Sequence, residues 1–472
     1  MTPAETPAEL LNAFERQRAG HHSAPFPEWD IRRDRLERLL ALVRENEAAI
    51  EGAIDRDFGG RPRIETQIGD IVPSVSEVRS ALSHGAGWMK PRRAPVSKWF
   101  LPAQAHVMPR PVGVVGIVVP WNYPLFLAVG PLAGALVAGN RAMVKMSEFT
   151  PAFSELFAAL VAKRFVPEEV AVITGGPDVA AQFTALPFDH LLFTGSTSVG
   201  RHVMAAAARN LTPVTLELGG KSPAVIAPGY PVERAAQRIL AGKLLNAGQT
   251  CIAPDYVLVP KARVAEFVGA AQRQARRMYP GGIADKDYCS VVNPRHYGRL
   301  VGYLDQAAAS GVAAHALFDG AGRNDESHRL GPVLLVDPPL SLDVMRDEIF
   351  GPLLPVIGYD DVENAVTFVN AQARPLALYW FDEDGRRVEW ALKQTHVGGV
   401  CVNETLMHIL QEELPFGGVG ASGMGHYHGR WGFDTFSKVT PVFRQARLNG
   451  VGLLTPPYRP IARRLLDWMK RF

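Results

Sequence analysis

The first sixty residues carry apolar positions spaced by three and four. In AELLNAFERQRAG and DRLERLLALVRENEAAIEGAIDRDF that spacing predicts helices between residues 8 and 58. From 141 to 220 the pattern changes to short apolar runs separated by amphipathic stretches. AMVKM, VAVITGG, HLLFTGS and PVTLELGG read as strands; TPAFSELFAALVAKRF, PDVAAQFTAL and SVGRHVMAAAARN read as helices. Thr150 stands at the expected N-cap of the first of these helices, with Pro151 at its first position. Such alternation predicts parallel pairing through right-handed crossovers, hence a doubly wound α/β sheet. Ligands of these sheets bind at the carboxyl ends of the strands, which directs attention to Lys145–Glu148 and Gly195–Gly200.

A second cycle starts beyond Gly219-Gly220. It holds the helix VERAAQRILAGKLLN, the strand YVLVP, the basic helix ARVAEFVGAAQRQARRM, and further alternation through AVTFVN, LALYWF and GGVCVN. This reads as a second α/β domain, and a 472-residue chain accommodates two or three at roughly 150 residues each. One stretch, Pro111–Asn140, has no charged side chain and is long enough to cross a bilayer. Pro120, Pro124 and Pro131 interrupt it, so a buried strand (112–119), a tight turn and a packed helix are expected instead.

Charge and cysteines narrow the classes further. The net charge is +3, and the last fifteen residues alone carry five basic side chains and one acidic one. The rest is nearly balanced, which excludes a nucleic-acid footprint. Cys251, Cys289 and Cys401 are far apart, with no CxxC and no zinc spacing, so thiols, a reducing cytoplasmic setting and no metal site are expected. The N-terminus is polar and has no apolar leader.

Several motifs carry candidate chemistry. FTGSTSVG (193–200) follows a strand and opens a helix; either its backbone N–H groups face a phosphate or its Gly and Ser serve the geometry of the turn alone. LELGGKSP mimics a P-loop, but a Walker A motif needs glycine where Thr215 stands. Asn122 in PWNYP is either a turn residue bonding its own backbone or an amide held for an oxyanion. Glu217, inside an apolar strand, either pairs with a base or serves a site as a general base of raised pKa. Cys251 in NAGQTCIAPDY is either packing or a nucleophile.

Together PWNYP, KMSE, FTGSTSVG, LELGGKSP, GQTC, EIFGP and PFGG occur in the order and spacing of the aldehyde dehydrogenase superfamily, and the resemblance spans roughly residues 8–450. GQTCIAPDY, YHG…GFDTFS, the PPY tail and the lack of an N-terminal extension resemble its class 3 branch. ALPFDHLLFTGST and NLTPVTLELGGKSP are most similar to the bacterial coniferyl aldehyde dehydrogenases within that branch.

The resemblance implies a Rossmann-type cofactor domain, an α/β catalytic domain and a small β extension for oligomerisation. By position these are 1–88 with 108–218, then 219–420, then 89–107 with 430–450, and last an amphipathic basic tail, 451–472. It implies that Cys251 is the nucleophile, Asn122 the oxyanion donor and Glu217 the base that activates water. Trp121, Lys145, Glu148, Gly195, Ser196, Thr197, Gly200, Leu218, Glu348 and Phe350 would hold NAD or NADP, with Glu148 favouring NAD. Tyr123 and Phe416 would lie by the substrate, an aromatic aldehyde such as coniferyl aldehyde or a medium to long aliphatic one. A homodimer is expected. Met146 replaces the usual proline of the Lys-Pro-Ser-Glu motif, which loosens the turn near Glu148 and puts the NAD preference in doubt.

Three other readings compete: a cofactor-independent cysteine esterase or acyltransferase, a CoA-acylating enzyme, and a non-catalytic relative. The tail reads first as a helix docked on a dimer partner or near the substrate entrance, and second as a weak contact with an anionic membrane surface.

Overall fold

The fold rests on two parallel sheets, each carried by the alternation of apolar runs and amphipathic helices. The computed structural model describes residues 7–320 and 322–471. Residues 1–6 of the expected 1–88 segment and Phe472 of the tail lie outside the described residues.

In the first sheet the strand order is Gly423–Met424, Val214–Glu217, His190–Thr194, Val114–Val118, Arg141–Lys145 and Val170–Ile173. All neighbours are parallel except the short Gly423–Met424 strand, whose Gly423 pairs with Glu217. Val114–Val118 comes first in the chain; Arg141–Lys145 and Val170–Ile173 add to one side of it, and the order then reverses as His190–Thr194 and Val214–Glu217 add to the other. The topological switch point therefore lies at the ends of Val114–Val118 and His190–Thr194, where such sheets open a crevice.

The uncharged run 111–140 is internal. It supplies the strand Val114–Val118 and the helix Phe126–Ala138, every residue of which is buried, with Pro131 inside it. Among the described residues no helix is long and apolar enough to cross a membrane.

The second sheet runs Ala313–Ala316, Val333–Val336, Leu353–Tyr359, Tyr256–Pro260, Pro223–Ile226, Ala377–Phe381 and Gly399–Val402, parallel except at Ala313–Ala316. One apolar core joins the two sheets: Ile117 and Leu136 of the first half and Val257 and Tyr379 of the second belong to the same buried cluster. A third sheet, Arg92–Ala94, Gln104–Pro111 and Ser437–Arg444, is antiparallel, and its middle strand runs past residue 107 to Pro111.

The N-terminal helical pattern resolves into Pro7–Ser23, Trp29–Arg44 and Glu47–Phe58. Thr150 does occupy the N-cap of Pro151–Arg164, but its side chain makes no cap bond. The cap comes from another element: the Asp57 carboxylate accepts from Ala152 N (2.9 Å) and Phe153 N (2.8 Å). A distant carboxylate satisfies the orphan N–H groups as well as a local hydroxyl would.

Candidate active site

A cleft of about 670 Å³ opens at the switch point and runs between the two sheets. It brings together Asn122, Glu217 and Cys251, with Trp121, Gly195, Ser196, Thr197, Glu348 and Phe350 along its walls. Asn122, Glu217 and Cys251 arrive on three different elements, each for a local reason.

Asn122 follows the strand Val114–Val118 in a turn bounded by Pro120 and Pro124. Its amide does not close a turn on its own backbone. Nδ2 donates to Gln249 O (3.2 Å), two residues before Cys251, so the turn faces the cysteine loop.

That loop is shaped by three consecutive left-handed residues, Asn246 (φ 52°), Ala247 (φ 49°) and Gly248 (φ 78°). Gly248 is required: a Cβ there would lie 2.3 Å from Gly351 O. The buried Gln249 side chain braces the loop, donating to Asn246 O and Ser290 O and accepting from Val292 N. Cys251 is left half-buried and facing the cleft.

Glu217 ends the strand Val214–Glu217, is 2 % exposed, and neither carboxylate oxygen has a hydrogen-bond partner among the described residues. Burial alone pushes its pKa well above the carboxylate range, since nothing stabilises the anion. Burial and the neighbouring Glu348 and Glu217 carboxylates push the Cys251 thiol up as well. Burial thus favours the protonated form of both the Cys251 thiol and the neighbouring Glu217 carboxyl group. That arrangement suits base-assisted chemistry at sulfur and at water.

The opposite wall fits a dinucleotide. Ser196 caps the helix Thr197–Ala208, its hydroxyl accepting from Val199 N, and the helix N-terminus faces the cleft as an anion site. Glu348 Oε1 is buried without a hydrogen-bond partner among the described residues, which leaves it free to accept from a ligand hydroxyl. Burial and the nearby Asp255 push the Glu348 carboxyl up to about 8. Trp121 packs edge-on against Phe350 (5.3 Å between centroids).

Not every expected residue reaches the cleft. Lys145 is buried at the end of its strand, with Nζ donating to Met146 O and Gly175 O at 2.7 Å each. Glu148 lies exposed just beyond it. Gly200 and Leu218 pack on each other: a Cβ on Gly200 would lie 2.7 Å from Leu218 Cδ2. The Tyr123 hydroxyl is engaged with Thr250 Oγ1 (2.6 Å), behind the Asn122 turn. Phe416 is buried and stacked on His428 (5.4 Å).

The sequence reading missed the residues that hold Glu348 and Phe350 in place. Lys221 pairs with Asp255 and donates to Val344 O (2.8 Å) and Asp347 O (2.9 Å). Asp255 accepts from Ile349 N (2.9 Å), and Arg299 donates to Ile349 O (2.8 Å). Lys221 belongs to the LELGGKSP motif, but Arg299 lies on the helix Pro294–Ala309, where no local signal marks it.

Comparison with known proteins gives a consistent result. The profile of the Aldehyde dehydrogenase family matches residues 2–442. The chain is 50% identical over 450 residues to a probable coniferyl aldehyde dehydrogenase of Pseudomonas aeruginosa, covering 95% of this chain and 94% of that one. It is 37% identical to aldehyde dehydrogenase family 3 member A2 of Rattus norvegicus, over 94% and 90% of the two chains. The substrate-bound state of Staphylococcus aureus AldH superposes with a TM-score of 0.92 at 33% identity, covering 98% of this chain and 99% of that one. A Mycobacterium tuberculosis aldehyde dehydrogenase complexed with NAD+ superposes with a TM-score of 0.82 at 27% identity, over 94% and 92% of the chains. The chain therefore belongs to the aldehyde dehydrogenase family and is an oxidoreductase that converts an aldehyde to the carboxylic acid.

Proposed function

We propose that Cys251, Asn122 and Glu217 carry out this oxidation in three roles. The observation behind the assignment is their convergence in one cleft from three separate stretches, with the Glu217 carboxylate buried and unpartnered. Cys251 sulfur, having given its proton to solvent, bonds to the aldehyde carbon, and the carbonyl electron pair moves onto oxygen. The Asn122 amide and the Cys251 backbone N–H donate to that oxyanion, stabilising it where charge develops. When bound, NAD or NADP supplies the acceptor for the hydride that leaves this carbon. Collapse of the oxyanion leaves an acyl thioester on Cys251. Glu217 then takes a proton from water as its oxygen attacks the acyl carbon, and the sulfur leaves as thiolate with release of the acid.

Glu348, Phe350, Trp121, Gly195, Ser196 and Thr197 would hold the cofactor, with Lys145 and Glu148 at its adenosine end. Glu148 stands exposed at a strand end, where its charge disfavours a 2′-phosphate, so NAD is preferred to NADP. The similarity to coniferyl aldehyde dehydrogenases of Pseudomonas and Caulobacter supports an aromatic aldehyde, coniferyl aldehyde first, with Tyr123 and Phe416 shaping the substrate side.

The three-stranded sheet is assigned to homodimer contact, since its outer strand Ser437–Arg444 exposes Val439 and Phe443. The helix Pro460–Met469, whose Trp468 packs on Trp99 (4.6 Å), is assigned to the same contact or to the substrate entrance. Three free thiols support a cytoplasmic setting.

The test is reduction of NAD and of NADP by purified protein across an aldehyde panel, followed by absorbance of the reduced cofactor. Coniferyl aldehyde with NAD is expected to give the highest kcat/KM. Faster turnover of short aliphatic aldehydes, or an NADP preference, overturns the corresponding assignment.

A further inference from the structure

Behind the cleft lies a buried ion pair that the catalytic roles leave unused. Arg61 and Asp70 are both fully buried and meet at 2.9 Å between Nη2 and Oδ2. Removing two charges from water is costly, and such a pair is weak evidence of stability for its own sake. Its contacts indicate what it is for.

Arg61 Nη1 donates to Asn122 O (2.8 Å), and the guanidinium lies over the Tyr123 ring at 4.9 Å. Asp70 Oδ1 accepts from Leu125 N (3.0 Å) and Phe126 N (3.2 Å), immediately after the same turn. Asp70 sits in a π-helical turn, Gln67–Ile71, a geometry that is rare and concentrates at functional sites. The pair thus grips the segment 122–126 at both ends. A second donor, Asn246 Nδ2, reaches the same Asn122 carbonyl at 3.1 Å. Asn246 belongs to the loop that carries Cys251, and Glu65 from the same helical segment accepts from Asn246 N (3.0 Å). One short stretch therefore ties the oxyanion turn and the nucleophile loop to each other.

We propose that Arg61, held by Asp70, is a positioning residue for the oxidation: it fixes the Asn122 backbone so that the Asn122 amide meets the oxyanion at Cys251. This rests on the assignment of Asn122 as the oxyanion donor. A planar guanidinium suits the task because it faces a carboxylate and a carbonyl at once in a fixed geometry. A small displacement of an oriented donor is costly to rate, because the donor must meet charge where it forms.

The experiment is a double-mutant cycle on the full chain, read by the stopped-flow burst of reduced cofactor. Arg61→Met is expected to slow the burst by roughly tenfold to a hundredfold, with the cofactor KM unchanged. Combined with Asn122→Ala it is expected to be no slower than Asn122→Ala alone, since both act through one amide. Arg61→Met with Asp70→Asn removes the pair without stranding a charge, and it carries the same test should Arg61→Met fail to fold. A wild-type burst in these Arg61 variants, or slowing that multiplies with that of Asn122→Ala, overturns the proposal alone. A wild-type burst in Asn122→Ala overturns the oxyanion assignment and the proposal with it.

Discussion

Glu348 rests directly on Gly219: a Cβ on that glycine would lie 2.2 Å from both carboxylate oxygens. The contact places a carboxylate against bare backbone at the point where the first sheet hands over to the second. Gly219→Ala is expected to push Glu348 out of place without disturbing the nucleophile. The KM for NAD should rise by roughly tenfold to a hundredfold, the equivalent of one hydrogen bond to a charged group. Fluorescence titration of cofactor binding checks it, alongside an unchanged melting temperature.

Glu217→Gln separates the two halves of the reaction. The glutamine cannot accept a proton from water, so steady-state turnover should fall by about 10²- to 10⁴-fold. The first burst of reduced cofactor should survive. Loss of the burst as well would assign Glu217 to deprotonating the Cys251 thiol.

The pH dependence follows from the same pair. Burial and two carboxylates hold the Cys251 proton on, so the burst rate should keep rising with pH above 9, the ordinary thiol value, as the proton is lost. Removing the Glu217 charge removes one of the groups that push the thiol up. In Glu217→Gln the rising limb should therefore move to lower pH, which stopped-flow measurements across a buffer series would detect.

His190 gives the fold an acid-sensitive element. It is buried against Phe436 (5.3 Å), with Nε2 in hydrogen-bond contact with Thr215 Oγ1 (2.9 Å). Burial pulls its pKa from 6.5 down to about 4. A depressed folded pKa means the neutral ring stabilises the fold above the ordinary value, and this contribution is lost as pH falls from about 6.5 to 4. His190→Gln keeps a polar contact and cannot titrate, so its melting temperature should fall less over that window than that of the unaltered chain.

Gly248→Ala tests the nucleophile loop. The methyl group meets Gly351 O at 2.3 Å, and the residue holds φ 78°. A loss of stability on the order of 1–3 kcal/mol is expected from the strained backbone alone. The burst should slow as well, because Cys251 follows within the same loop. Chemical denaturation and stopped-flow rates measure the two effects separately.

The periodic pattern was enough for the doubly wound sheet. Each strand from Val114–Val118 to Val214–Glu217 is a short, largely apolar run, and the helices between them are either wholly buried, as Phe126–Ala138 is, or bury one side, as Pro151–Arg164 and Thr197–Ala208 do. The proposed catalytic set is legible for a different reason. Asn122, Glu217 and Cys251 sit inside short motifs whose prolines, glycines and left-handed residues are local requirements of the turns that present them.

Supporting interactions were not legible, because their partners are distant in sequence. Asp57 caps a helix that starts at Pro151, Arg299 holds Ile349, and Arg61 reaches Asn122. None of these changes a periodicity or completes a motif. The short Gly423–Met424 strand beside Glu217 is likewise too brief to leave a pattern.

The sequence by itself determined the strand and helix order, the family and the identity of the chemical groups, since these depend on side-chain period and local backbone freedom. Only the tertiary structure decided which of those groups share a cleft and which serve as packing. It placed Cys251, Glu217 and Glu348 together, left Lys145 bound to backbone carbonyls and turned the Tyr123 hydroxyl to Thr250. The physical reason is desolvation. Whether a carboxylate, amide or thiol is reactive depends on the partners that burial gives it or withholds, and burial is a property of the whole fold.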